Sequence, residues 1–214
     1  MTTATSKYAS IRKDIAKGTI MRKFDPNEKH WNSKNQLVTY SSEASFRKAM
    51  EKEYKRRTEM IDKAENVGLP VEGRVRITWT SRAGIYGYQA RAYLTYSYLK
   101  NGRLANEQIE TGYTTGIGYD KESTAAANAF NESPSMVKIL LDARAKKDKP
   151  SYGASLNNGK PFIPHWNGGV GLTSIISTLN DYGYNAKYEY TGTSDVTVVS
   201  FSKKRKTAAE KGVY

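Results

Sequence analysis

The stretch that decides the fold reads Arg74-Val75-Arg76-Ile77-Thr78-Trp79-Thr80. Val75, Ile77 and Trp79 occupy every second position, and the positions between them hold arginine or threonine. Successive side chains of a β-strand point to opposite faces, so this alternation predicts a half-buried strand with one apolar and one polar face.

Two further strands are expected directly after it. Residues 88–99 are rich in tyrosine and read as a second, longer strand. Asn101-Gly102 follows, and both residues accept a positive φ, which makes this pair a strong signal for a tight hairpin. Residues 104–113 then return antiparallel, so the sequence predicts a three-stranded β meander.

A long helix is predicted before the meander, over residues 42–66. Its apolar side chains are spaced four, four and seven apart and form one stripe: Phe46, Met50, Tyr54 and Ile61. Ser42 is a suitable N-cap, and Gly68 and Pro70 end the element. We expect the stripe to pack on the meander and Lys48, Lys52, Lys55 and Arg56 to face solvent.

Helices and a hairpin are predicted after the meander. Residues 122–131 are rich in alanine, Ser133-Pro134 places a cap and a first-turn proline before another helix, and residues 172–179 have amphipathic spacing that ends near Gly183. Residues 187–190 and 196–201 form a final hairpin.

The predicted fold class is therefore α+β: an N-terminal helix on an antiparallel meander, following helices, and a C-terminal helix with a β-hairpin. We predict four segments. They are a basic N-terminal arm (1–42), the helix, meander and helices (43–148), a Gly/Pro-rich loop (149–170), and the C-terminal helix and hairpin with a basic tail (171–214).

Composition excludes several functional classes. The 214 residues include no cysteine, which rules out disulfides, cysteine-ligated metals and a cysteine nucleophile, and only two histidines, His30 and His165. We therefore predict no cofactor and no metal. Neither an apolar run of about 18 residues nor the apolar stretch of a signal peptide is present, so we expect no membrane contact and a cytoplasmic location.

The charge points to a polyanionic partner. Lys and Arg number 34 against 21 Asp and Glu, a formal net charge of +13. Such an excess most often serves nucleic-acid binding, because each neutralised phosphate releases counterions. The residues expected to contact phosphates are Lys52, Lys55, Arg56, Arg57, Arg74, Arg76, Lys121, Lys203, Lys204, Arg205 and Lys206.

Lys121 belongs to this set because of the glycine turn before it. Gly116-Ile117-Gly118-Tyr119-Asp120-Lys121 leads into the alanine-rich helix, and backbone N–H groups at a helix N-terminus can hold a phosphate. No Walker motif is present, and position 121 lacks the third glycine of a dinucleotide fingerprint. A purely structural turn is the alternative.

Two resemblances accompany this turn. The order helix, three strands, helix over residues 43–131 is similar to a double-stranded RNA-binding domain, in which lysines after such a turn touch phosphates. Only Lys121 matches that pattern here, and Arg82-Ala83-Gly84-Ile85-Tyr86-Gly87 stands where that family has a Gly-Pro-x-His loop. The string from Gly116 to Ser123 also resembles a motif in small uncharacterised proteins of bacterial phages and mobile elements, which implies a host-cell cytoplasm but no activity.

The sequence thus predicts a non-enzymatic phage or mobile-element protein that binds DNA or RNA mainly through phosphates. One alternative is an inhibitor of a host defence complex, such as an RNA-guided nuclease, acting by contact with a host protein or ribonucleoprotein. Another is a hydrolase using His165, which lies in His165-Trp166-Asn167-Gly168-Gly169; a structural loop is the other interpretation of that segment.

Overall fold

A computed structural model describes residues 6–31, 36–81, 88–116, 120–158 and 162–205. In chain order its elements are α1 (Ala9–Thr19), β1 (His30–Trp31), β2 (Leu37–Val38), α2 (Glu43–Glu65), β3 (Pro70–Ser81), β4 (Tyr88–Lys100), β5 (Arg103–Glu110), β6 (Thr114–Gly116), α3 (Asp120–Glu132), α4 (Pro134–Ala145), β7 (Ala154–Ser155), β8 (His165–Trp166), α5 (Leu172–Asp181), β9 (Tyr184–Glu189) and β10 (Val196–Lys203). None of the helices within these ranges is long and apolar enough to cross a membrane.

One antiparallel sheet organises the molecule, and the predicted α+β class is confirmed. Its strand order is β5-β4-β3-β10-β9, with β6 pairing the start of β4. The C-terminal hairpin therefore joins the meander in the same sheet, since β10 pairs with β3 on one side and β9 on the other. Two small ribbons, β1-β2 and β7-β8, lie outside it.

The alternation of β3 appears as predicted. Val75 and Ile77 are fully buried, whereas Arg74 and Arg76 are exposed on the other face. The buried face packs against α3 and α5, and the small side chains of α3, such as Ala126, let that helix approach closely. No helix of the described residues covers the other face, which we call the open face.

The packing of α2 corrects an expectation. Its stripe is buried, but Ile61 packs with Ile11 of α1 and with Val137 and Leu141 of α4, and not on the meander. The reason is that α4 is apolar on two sides: Leu140 faces the sheet core while Val137 and Leu141 face α2. Helix α4 therefore lies between α2 and the sheet.

The helix ends follow the sequence signals. The Ser133 hydroxyl accepts a hydrogen bond from the Met136 backbone N–H at 3.1 Å, which caps α4 ahead of Pro134. Ser42 caps α2 in the same way through the Ser45 N–H. After α5, Gly183 has φ 96°, the left-handed conformation that favours glycine after a helix.

Candidate nucleic-acid interface

One end of the molecule is formed where α4, α5 and β10 all finish. The Tyr182 hydroxyl, after α5, donates a hydrogen bond to the Lys149 carbonyl at 3.1 Å. The Lys204 backbone N–H donates to the Gly183 carbonyl at 2.9 Å. These two contacts attach the segment that follows α4 and the segment that follows β10 to the same place, the residues just after α5.

Exposed cations gather at this end. We call it the basic end and define it by Lys146, Lys147, Lys149, Lys203, Lys204 and Arg205, all exposed. Only two carboxylates, Asp148 and Asp181, belong to the same segments and the end of α5. Six positive charges against two negative ones create a local positive potential.

Helix polarity explains part of this arrangement. The C-terminal end of a helix carries partial negative charge, so cations are favoured there. The Lys204 ammonium donates to the Asn180 carbonyl in the last turn of α5 at 2.9 Å, and Lys147, two residues after the end of α4, has φ 58°. By contrast, the ammonium groups of Lys146, Lys149 and Lys203 make no hydrogen bond or ion pair with the described part of the chain, so they face solvent.

The predicted cations on α2 lie among carboxylates. Lys52 and Lys55 are exposed, and Lys55 lies 3.9 Å from Glu59. Arg56 makes two hydrogen bonds to Glu53, at 3.0 and 2.6 Å. Those bonds raise the pKa of Arg56. Helix α2 therefore presents a mixed, nearly neutral charge pattern.

Arg57 has a largely structural position. Its side chain is only 10% exposed, its Nε donates to Glu53 at 2.7 Å, and its guanidinium lies 4.7 Å from the centre of the Phe162 ring. Burial lowers the pKa of Arg57, with further lowering from Arg56 and Arg22. From the sequence, Arg57 is among the residues expected to contact phosphates; the structure places its side chain inside a groove.

Arg74 and Arg76 lie on the open face, away from a positive excess. Arg74 pairs with Glu189 at 2.6 Å, and the neighbouring Arg91 pairs with Glu110 at 3.1 Å. A shallow groove of about 830 Å³ crosses this face, and its lining includes carboxylates as well as amides and hydroxyls. The open face is therefore polar and close to neutral.

Lys121 does not reach solvent as the phosphate-site hypothesis requires. It is 7% exposed, and its ammonium lies 5.2 Å from the Trp79 ring centre. Burial lowers the pKa of Lys121. A cation that packs over an indole gains a cation–π contact and is withdrawn from a phosphate. Gly118 and Lys206, also singled out from the sequence, lie outside the described residues.

The two histidines have different surroundings. His30 is 4% exposed and packs against Phe46 and Tyr40, with ring centres 5.3 and 5.6 Å apart. His165 is exposed, and its Nδ1 lies 3.4 Å from the Asn157 amide nitrogen. Within the described ranges, no group of three or more His, Asp or Glu side chains could hold a metal ion.

Sequence reasoning missed Lys146, Lys147 and Lys149 as part of a site. The signal was present, because these lysines form a basic run after α4, but their pattern alone indicates only the end of a helix. No protein-family model matches the chain, and neither the curated proteins nor the solved structures compared with it gave a match. The function of the basic end must therefore be inferred from its own residues.

Proposed function

We propose that this protein binds nucleic acid and that the basic end holds the phosphate backbone. The observation that carries the proposal is that two exposed basic segments, one with Lys146, Lys147 and Lys149 and the other with Lys203, Lys204 and Arg205, are both held at the end of α5. Two carboxylates in the same segments leave most of that positive charge uncompensated. A phosphate chain is the polyanion that such a surface attracts most strongly.

The residue types favour backbone contacts over base readout. Five of the six cations are lysines, which act as compact point charges on flexible side chains. Arginine, by contrast, has a planar guanidinium that suits bidentate hydrogen bonding. Phosphate contacts fix position without reading sequence. We therefore expect binding with little sequence preference and a steep dependence on salt.

The test compares two variants that lose the same charge. One replaces Lys146, Lys147 and Lys149 with Gln, and the matched control replaces Lys48, Lys52 and Lys55 on α2 with Gln. The control lysines are also exposed. They lie away from the contact between α2 and α4, in which the Ala64 carbonyl accepts a hydrogen bond from Lys138. Nine residues or more of helix, about 14 Å, separate them from Ala64. Affinity is measured by fluorescence anisotropy on a DNA duplex, a DNA single strand and an RNA duplex over a range of salt.

The expected result separates local contacts from net charge. Each lost phosphate contact reduces the slope of log affinity against log salt by about one unit, so the slope of the basic-end variant should be smaller by about three units. The slope of the control variant should be smaller by less than one unit. Equal losses in both variants, or a wild-type protein that binds none of the three nucleic acids at low salt, would refute the proposal. The three probes also identify the preferred nucleic acid.

A further inference from the structure

A second groove lies apart from the open face, between α2 and residues 162–165. Its volume is about 790 Å³. One wall carries Arg56, Arg57 and Lys63 of α2 together with Glu53 and Glu59 of the same helix, and the apolar lining includes Met60, Val137 and Phe162. The groove thus combines cations on one side with an apolar surface on the other.

The cationic wall is built around one carboxylate. Glu53 accepts hydrogen bonds from both Arg56, at 2.6 and 3.0 Å, and Arg57, at 2.7 Å. Burial works to raise the pKa of Glu53, but the two arginines outweigh it and leave that pKa lowered. Two guanidinium groups therefore contact Glu53, Lys63 adds a third cation to the lining, and Glu59 offsets part of this positive charge.

The apolar surface offers an aromatic face. The Phe162 ring holds the Arg57 guanidinium 4.7 Å from its centre, yet the residue remains 44% exposed. A ring in this position can contact a flat ligand while the arginines contact an attached anionic group. Pockets that combine an apolar lining with a few convergent polar groups are the usual form of small-ligand sites.

From this geometry we propose that the groove binds a small anion with a flat aromatic body, such as a nucleoside monophosphate or an aromatic carboxylate. The anionic group lies against Arg56, Arg57 and Lys63, and the ring lies against Phe162. The inference goes beyond nucleic-acid binding at the basic end, because the groove residues and the basic-end residues are different. Either proposal can fail without the other.

Isothermal titration calorimetry tests the site with four probes: AMP, benzoate, adenosine and inorganic phosphate. AMP or benzoate should bind, and adenosine and phosphate should each bind at least about tenfold more weakly, because each supplies only half of the recognition. If AMP binds and benzoate does not, the ligand is a nucleotide. If benzoate binds and AMP does not, the ligand is an aromatic carboxylate. Absence of binding by both at millimolar concentration overturns the proposal.

Variants locate the binding. Arg56 is 58% exposed, and Arg57 still pairs with Glu53 without it, so Arg56→Gln should lower the melting temperature only slightly and weaken the bound probe about tenfold or more. Lys52→Gln, on the same helix but outside the groove lining, is the matched control and should change nothing. Phe162→Leu should weaken the binding of AMP or benzoate while leaving the binding of inorganic phosphate unchanged. An Arg56→Gln variant that binds the probe as tightly as the wild type would refute the site. It would show that the arginines of the groove only hold residues 162–165 against α2.

Discussion

Gly73 is a position where the sheet has no room for a side chain. It lies in β3 between Tyr96 of β4 and Phe201 of β10, its direct partners in the two neighbouring ladders. A Cβ atom built on Gly73 would lie 2.5 Å from the Phe201 Cζ, 2.8 Å from the Thr95 carbonyl oxygen and 2.8 Å from the Tyr96 Cβ. We predict that Gly73→Ala destabilises the fold.

The size of this destabilisation depends on which atoms the added Cβ would overlap. The Thr95 oxygen is backbone and the Tyr96 Cβ is fixed to it, so neither can move without disturbing the β3-β4 ladder. Overpacking of a core costs about 1–3 kcal/mol, and the upper end applies here. For a chain of this size each kcal/mol lowers the melting temperature by about 2–4 °C, which gives a loss of roughly 6–12 °C.

Thermal unfolding followed by circular dichroism measures this loss. Gly112→Ala is the control, because no atom lies within 4 Å of the added Cβ and the backbone there is not left-handed, so its effect should stay within about 0.5 kcal/mol. Phe201→Leu removes the Cζ, so the double variant should lose less stability than the sum of its single changes. Additive effects, or a Gly73→Ala protein that melts like the wild type, would refute the reasoning.

Two further predictions concern buried charges. Lys121→Ala should cost about 1 kcal/mol through its contact with Trp79 while nucleic-acid affinity and its salt slope stay unchanged; a flatter slope would restore the phosphate-site hypothesis. Glu53→Gln should cost about 1–3 kcal/mol at neutral pH, measured by urea unfolding. Because the pKa of Glu53 is lowered in the fold, the stabilisation is complete above its usual value of 4.5 and is lost as the pH falls through the lowered value. The two proteins should therefore converge in acid, and a constant difference would contradict the pairing.

The local elements could be predicted because their signals are local. The alternation through Val75 and Ile77, the hairpin at Asn101-Gly102 and the cap at Ser133 each act over a few residues. What could not be predicted was the partner of each apolar surface. The stripe containing Ile61 shows that α2 is buried on one side, but its pattern is the same whether the other surface is a sheet or two helices.

For the candidate site, too, the sequence shows the local signals but not which segments come together. The basic run at Lys203 is visible in the sequence, but its proximity to Lys149 depends on where α4 and β10 end in space. Lys121 is the opposite case, because a charged residue is usually exposed and only the structure shows that its ammonium lies over the Trp79 ring. Charge can be counted from the sequence; local charge density cannot.

The position of β10 between β3 and β9 has a consequence for synthesis. After β3 is synthesised, the ribosome must add residues 82–203 before all of β10 can pair with it, roughly 6–24 s at ordinary translation rates. Throughout that time one edge of β3 has unpaired N–H and C=O groups that could pair with another nascent chain. Charged side chains are a known protection for such edges. Arg74 and Arg76 lie exposed along β3 and supply such charges while the chain is still growing.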